Sequence, residues 1–187
     1  MELAQNKYYS YSDYLSWDDG QRYELIDGLP YLMSPGPTWF HQGVCMELSR
    51  QLSIFLKGKP YKVYAAPFDV RLNADTLDDT VVQPDIIVIC DRSKLDSKGG
   101  GYKGAPDLVI EILSPSTARM DRITKYKKYL QAGVREYWIV DIDNKIVDVH
   151  ILENSKYVKT AHAETETIPV HVLEGCMINL EEVFEDM

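Results

Sequence analysis

The sequence predicts an α/β fold, one mixed β-sheet flanked by helices with an N-terminal hairpin extension. Three observations predict it. The elements read in the order helix, several antiparallel strands, helix, strands. Two alternating runs flank Asp27-Gly28, a favoured two-residue hairpin turn. Two long apolar runs, "VVQPDIIVIC" and "PDLVIEILSPST", have the composition of strands covered on both faces.

Each element has a local cause. "SYSDYLSWDDG" predicts a short helix with Ser10 or Ser12 as its cap. "RYELIDGLPYLMSP" predicts the hairpin. Residues 38–57 carry Val44, Leu48, Leu52, Phe55 and Leu56 at helical spacing, and Gly58 ends that helix. Strands follow near 61–66 and 68–72, then a polar loop, "NADTLDDT". "VVQPDIIVIC" is a buried strand and "DRSKLDSKGGGYKGA" a long flexible loop. After the strand "PDLVIEI", "SPST" launches a helix to about Ala132, with Pro115 at its start and Gly133 capping its end. "REYWIVDI" and "KIVDVHIL" are strands joined at Asp143-Asn144. A last strand near 168–173 and a helical turn at "LEEVF" close the chain.

Composition narrows the function. The chain has 187 residues, enough for a single domain with a real core. No basic start with an apolar segment behind it marks a signal peptide, and no apolar run reaches the ~18 residues of a membrane span. Cys45, Cys90 and Cys176 form no C-x-x-C pair and no disulfide framework, which predicts reduced thiols in a cytoplasmic protein. The four histidines lack zinc-ligand spacing. The net charge of -9 is uneven: residues 141–187 hold 11 acids and 3 bases, residues 1–140 hold 18 and 17. The acidic tail is therefore not expected to face a polyanion.

Two carboxylates stand where a buried sheet should be apolar. Glu111 lies among Leu108, Val109, Ile110, Ile112 and Leu113, and Asp85 among Val81, Val82, Ile86, Ile87 and Val88. An ionised carboxylate buried in a sheet costs several kcal/mol unless compensated. Side chains alternate across a strand, so Asp107, Val109, Glu111 and Leu113 share one face. If the two strands pair, they lie ~4.8 Å apart, and the carboxylates can share one hard divalent cation such as Mg²⁺. The alternative is that each has its own Arg or Lys partner, or sits in water at a strand end.

"QPDIIVI" followed by "PDLVIEILSPS" resembles the PD-(D/E)XK, or restriction-endonuclease-like, nuclease superfamily. The fuller set "YELIDG", "SPGPTWFH", "QPDIIVI", "PDLVIEILSPST" and "KYKKYLQAGVREYWIVD" resembles its Uma-type restriction endonuclease branch. The likeness covers roughly residues 20–152, the expected core of the domain, and leaves 153–187 as an acidic C-terminal segment. It implies a restriction-endonuclease-like core and Mg²⁺- or Mn²⁺-dependent cleavage of DNA phosphodiesters. Asp85 corresponds to the PD aspartate and Glu111 to the acid of (D/E)XK, with the Ile112 carbonyl as a further metal ligand. Glu24 and His41 match recurrent positions of the branch. The sequence departs at Leu113, where the superfamily has its lysine. The branch offers Lys125 instead, and its distance along the helix permits this. A helical wheel sets Lys125 and Lys127 on opposite flanks of the apolar stripe, roughly 100° either side. Lys125 lies nearer Tyr129 and is the expected one.

The remaining candidates are weaker signals. Arg119, Arg122, Lys127 and Lys128 put bases beside the predicted site, as do Arg92, Lys94, Lys98 and Lys103 of the loop. A basic wall could hold a phosphate backbone, or simply be a solvated face. Glu24 reads as a site carboxylate or an exposed strand residue, His41 as a helix-start histidine or a phosphate contact. The tyrosine-rich segment with Tyr8, Tyr9, Tyr11, Tyr14 and Trp17 is expected to pack on a second subunit, in a homodimer with two active sites. Two rival functions remain: a non-catalytic domain of the same fold that binds nucleic acid or protein, and a metal-dependent hydrolase of a smaller phosphate ester.

Overall fold

The computed structural model describes residues 7–33, 36–97 and 100–185. In chain order the elements are α1 (Tyr11–Tyr14), β1 (Tyr23–Ile26), β2 (Leu29–Leu32), α2 (Trp39–Leu56), β3 (Lys62–Ala65), β4 (Val70–Arg71), β5 (Val81–Val82), β6 (Ile86–Ile89), β7 (Tyr102–Lys103) and β8 (Leu108–Ile112). A π-helical turn (Met120–Lys125) then runs into α3 (Tyr126–Ala132), followed by β9 (Glu136–Asp141), β10 (Ile146–Glu153), β11 (Lys156–Ala163), β12 (Thr167–Pro169), β13 (Met177–Asn179) and α4 (Leu180–Val183). The expected α/β class with a mixed sheet holds, but the strands divide among three sheets. One is a six-stranded sheet, β11-β10-β9-β8-β6-β3; another has five strands, β2-β1-β5-β4-β7; β12 and β13 form a small pair. In the six-stranded sheet β8 pairs parallel with β9 and antiparallel with β6, so β8 sits where the sheet changes direction.

Local chemistry explains most boundaries. Ser10 caps α1 and makes a capping box with Asp13. Asp27 and Gly28 both take positive φ, the backbone a tight hairpin between right-twisted strands demands. Thr38 caps α2 through the His41 N–H, and the helix buries Val44, Leu48, Leu52 and Leu56. That stripe packs on Ile86, Val88, Leu108, Ile110, Ile112, Trp138 and Val140 of one sheet face. The opposite face carries Ile87, Ile89, Val109, Tyr129 and Tyr137 in a second core. Gly133 ends α3 in the left-handed conformation, as expected.

The differences from expectation have physical causes. The run 81–90 is two strands in two sheets, β5 and β6. Pro84 has no N–H for a ladder, and the Gln83 N–H donates to the Glu24 carboxylate instead. The expected loop 91–105 contains regular structure: Arg92–Lys94 form a 3₁₀ turn, and Tyr102 is buried in β7. Pro115 lies in a turn ahead of the helix, not within its first turn. β11 was invisible to hydrophobic patterning because it is an almost wholly exposed edge strand, paired with β10 through an Asn154-Ser155 turn. Of the N-terminal aromatics, Tyr9 and Tyr11 are buried with Leu25 and Val81, Tyr14 and Trp17 lean against them, and Tyr8 is exposed. Among the described residues no helix is long and apolar enough to cross a membrane, and the three cysteines are free.

Candidate active site

The site lies at the junction of β6 and β8. Ile86 pairs with Ile110, and the same register one residue on sets Asp85 beside Glu111. Asp85 Oδ2 accepts a 2.7 Å hydrogen bond from the Ile112 N–H. His41, in the first turn of α2, holds its Nε2 3.3 Å from Asp85 Oδ2 and 3.1 Å from the Ile112 carbonyl oxygen. Among the described residues no donor reaches Asp85 Oδ1 or Glu111 Oε2. Two neighbouring strands thus present carboxylates that each have one oxygen to spare.

Glu111 Oε1 faces the helical side. It accepts from Tyr129 Oη at 2.6 Å and from Lys125 Nζ at 3.0 Å. Lys125 is only 5% exposed and also meets Glu24 Oε1 at 2.8 Å and Asp121 Oδ1 at 3.5 Å. One ammonium therefore sits among three buried carboxylates, a cluster with two negative charges in excess when all are ionised. The π-helical turn Met120–Lys125 carries it, and Asp121, Lys125 and Tyr129, spaced four residues apart, share the inward face. The face that turns inward is centred on these three and not on Ile123, which is exposed.

Protonation follows from this crowding. Burial, opposed by the Lys125 charge and reinforced by Asp121, Asp85 and Glu24, holds Glu111 well above the usual carboxylate range. Burial likewise raises Asp121, against the pull of Lys125. Burial works against a charged Lys125, but the charges of Glu111, Glu24 and Asp121 outweigh it and keep the ammonium protonated well above the ordinary lysine range. For His41, burial also works against charge, and the hydrogen bond and charge of Asp85 overcome it, raising the imidazole above its ordinary value. Excess buried negative charge of this kind is relieved by a proton or by a cation.

The structure brings Asp85, Glu111, the Ile112 carbonyl, Lys125, Glu24 and His41 together. Glu24 is buried in β1, not an exposed strand residue. Its Oε1 is fixed by the Gln83 N–H at 2.8 Å, and Gln83 is itself anchored by Arg22, Tyr14 and Asp69. Asp107 shares the strand but not the site: it accepts from the Cys90 N–H and pairs with Arg135. Two of the four expected phosphate-binding bases are engaged elsewhere. Arg122 pairs with Asp141 at 2.8 Å and Asp148 at 3.2 Å, and Lys128 with Asp27 at 2.6 Å. Arg119 and Lys127 are exposed. In the loop, Lys103 lies 3.7 Å from Asp96, and Lys98 is outside the described residues. Asp121 is the residue that sequence reasoning missed. Its Oδ1 is buried without a hydrogen-bond donor, and its only sequence signal is its place four residues before Lys125.

Could the residues hold a divalent ion? Among the described residues no three His, Cys, Asp or Glu side chains form a ready cluster for one. The available set is the spare oxygens of Asp85 and Glu111 and the Ile112 carbonyl, all hard oxygen donors. Mg²⁺ suits such a set, since it takes few protein ligands and keeps its waters.

A mixed sheet flanked by helices, with acids on adjacent strands at its centre, is the architecture of nuclease-type α/β folds. The family model Uma2, described as "Putative restriction endonuclease", matches residues 11–181, and the chain belongs to that family. A crystal structure described as "a putative nuclease belonging to DUF820 from Anabaena variabilis ATCC 29413" superposes with a TM-score of 0.75 at 19% identity, covering 94% of this chain and 97% of that one, which shows the shared fold. "Uncharacterized protein slr1290" of Synechocystis sp. (strain ATCC 27184 / PCC 6803 / Kazusa) is 29% identical over 141 residues, 74% of this chain and 71% of that protein.

Proposed function

We propose that the protein is a divalent-metal-dependent endonuclease that hydrolyses DNA phosphodiester bonds, with Mg²⁺ or Mn²⁺ held by Asp85, Glu111 and the Ile112 carbonyl. The observation that carries this reading is the pairing of β6 with β8. It sets Asp85 beside Glu111, each with an oxygen free of hydrogen bonds among the described residues, next to the buried Lys125 at 3.0 Å. A cation bound there would supply Lewis acidity and an acidified water nucleophile. The chain's own residues supply the rest. Asp85 is fixed by the Ile112 N–H, so its spare oxygen keeps its direction. Tyr129 orients Glu111 from the other side. Lys125 would take the part of the lysine that Leu113 replaces: its ammonium, 3.0 Å from Glu111, could balance negative charge developing on the phosphate. Glu24 holds that ammonium in place. Arg119 and Lys127, exposed and without an ion pair among the described residues, are the better remaining candidates for phosphate contact. A twofold homodimer would present one such site to each strand of a duplex.

Incubation of supercoiled plasmid with the protein and Mn²⁺ tests the reading. Nicked and linear products are expected, and Asp85→Asn should abolish them. Intact plasmid at every metal concentration, together with a persistent gel shift, would assign the chain to the non-catalytic, nucleic-acid-binding alternative. Cleavage of a small phosphodiester alone would assign it to the hydrolase alternative.

A further inference from the structure

Two large aromatic side chains begin α2, and the fold leaves Trp39 largely and Phe40 partly exposed. Trp39 is 68% exposed and Phe40 37% exposed. Their rings stack on each other with centroids 3.6 Å apart and planes 27° from parallel. The next residue, His41, reaches into the carboxylate site, 3.1 Å from the Ile112 carbonyl oxygen and 3.3 Å from Asp85 Oδ2. The aromatic pair and His41 share the first turn of α2, so the pair stands at the helix end that meets the carboxylate site. The first turn of this 18-residue helix contains no acidic side chain, so nothing there repels a phosphate backbone.

We propose that Trp39 and Phe40 form a stacking platform for an unpaired nucleobase beside the scissile phosphate. On this view the site prefers single-stranded or locally unpaired nucleic acid to intact duplex. The inference rests on the nuclease reading for the identity of the substrate. Its physical basis is that every base has a π-face, but a duplex keeps those faces covered by its own stacking. Only an unpaired base can lie on an exposed ring. Beside the site Arg122 and Lys128 are held in ion pairs within the chain, while Arg119 and Lys127 of the same segment are exposed. Stacking would add to the phosphate contacts that those two can make.

The test is binding in EDTA, where no cleavage interferes. Wild-type protein is titrated with an oligothymidylate and with a duplex of equal length, reading tryptophan fluorescence and the anisotropy of labelled strands. Trp138 is fully buried, and the Trp39→Leu variant gives the background from Trp17 and Trp138. The single strand should quench wild-type emission and leave that of Trp39→Leu unchanged. The double variant Trp39→Ala/Phe40→Ala should bind the single strand roughly tenfold or more weakly, with duplex affinity within twofold of wild type. Equal affinity of wild type for the two DNAs, no quenching, or full single-strand affinity in the double variant would overturn the platform. So would a wild-type dimer that becomes a monomer in the double variant, since the pair would then cover a second copy of the chain. Plasmid cleavage is read separately. Quenching without cleavage would sink the nuclease reading and spare the platform, and cleavage without quenching would do the reverse.

Discussion

Two buried glutamates on adjacent strands show how a structural acid differs from a candidate for function. Glu136 opens β9 opposite Leu108 of β8, the strand that carries Glu111. Both acids are buried, and burial pushes both above the usual carboxylate range. Their partners differ. Glu136 Oε1 accepts from Trp138 Nε1 at 2.7 Å and its Oε2 from the Val172 N–H at 2.8 Å. Two fixed neutral donors satisfy both oxygens, and the side chain ties β9 to the C-terminal segment. Glu111 is crowded by Asp121, Asp85 and Glu24, shares one lysine, and keeps one oxygen without a donor among the described residues. A fold gains nothing from gathering like charges in its core, and sites that perturb ionisation in this way are candidates for function.

The largest effect should come from Lys125→Ala. It leaves Glu24, Glu111 and Asp121 buried together with no cation, at a cost of about 3–5 kcal/mol near neutral pH. Acid should restore part of that loss by protonating the carboxylates, so urea unfolding at pH 5 and pH 8 is the check. Equal destabilisation at both would mean that Lys125 matters through packing alone. Cleavage by the folded variant should fall on the order of a hundredfold or more. Next in size is Glu136→Gln, which turns an amide donor towards either the Trp138 or the Val172 N–H and costs about 1–3 kcal/mol. Plasmid cleavage should be unchanged when assayed well below its melting temperature. Loss of cleavage there would erase the distinction between the two glutamates.

Asp121→Asn should have the smallest effect, visible mainly as pH dependence. The Asp121 pKa is raised in the folded protein, so the native state binds its proton more tightly than the unfolded chain does. Its contribution to stability is therefore greatest below the ordinary aspartate value. It declines as pH rises from there through the raised folded value. The asparagine variant should show a flatter stability profile across that window. An unchanged profile would place the titrating proton on another group of the cluster.

Much of this was legible in the sequence. Asp85 and Glu111 stood out because period-two burial makes an embedded acid conspicuous, and α2 and the hairpin declared themselves through spacing and Asp27-Gly28. What stayed hidden was long-range or irregular. Asp121 was missed because the apolar stripe was drawn through Ile123, which is exposed, while the buried face carries Asp121, Lys125 and Tyr129 at four-residue spacing. The division into three sheets depends on Gln83 giving its N–H to Glu24, 59 residues away. The ion pairs that occupy Arg122 and Lys128 join distant segments, so a run of bases looked more available than it is.

Glu111→Gln with and without Mn²⁺ tests the central claim most directly, by thermal melting alongside the wild type. Metal should raise the melting temperature of wild type, because it binds the native and not the unfolded chain, and should leave Glu111→Gln unmoved. Without metal the variant should be within about 1 kcal/mol of wild type, the scale of one net hydrogen bond. It strands no cation, since Glu24 at 2.8 Å and Asp121 at 3.5 Å still hold Lys125. A wild type indifferent to Mn²⁺, together with a metal-free loss of about 3 kcal/mol or more in Glu111→Gln, would contradict the account and make Glu111 a second structural glutamate.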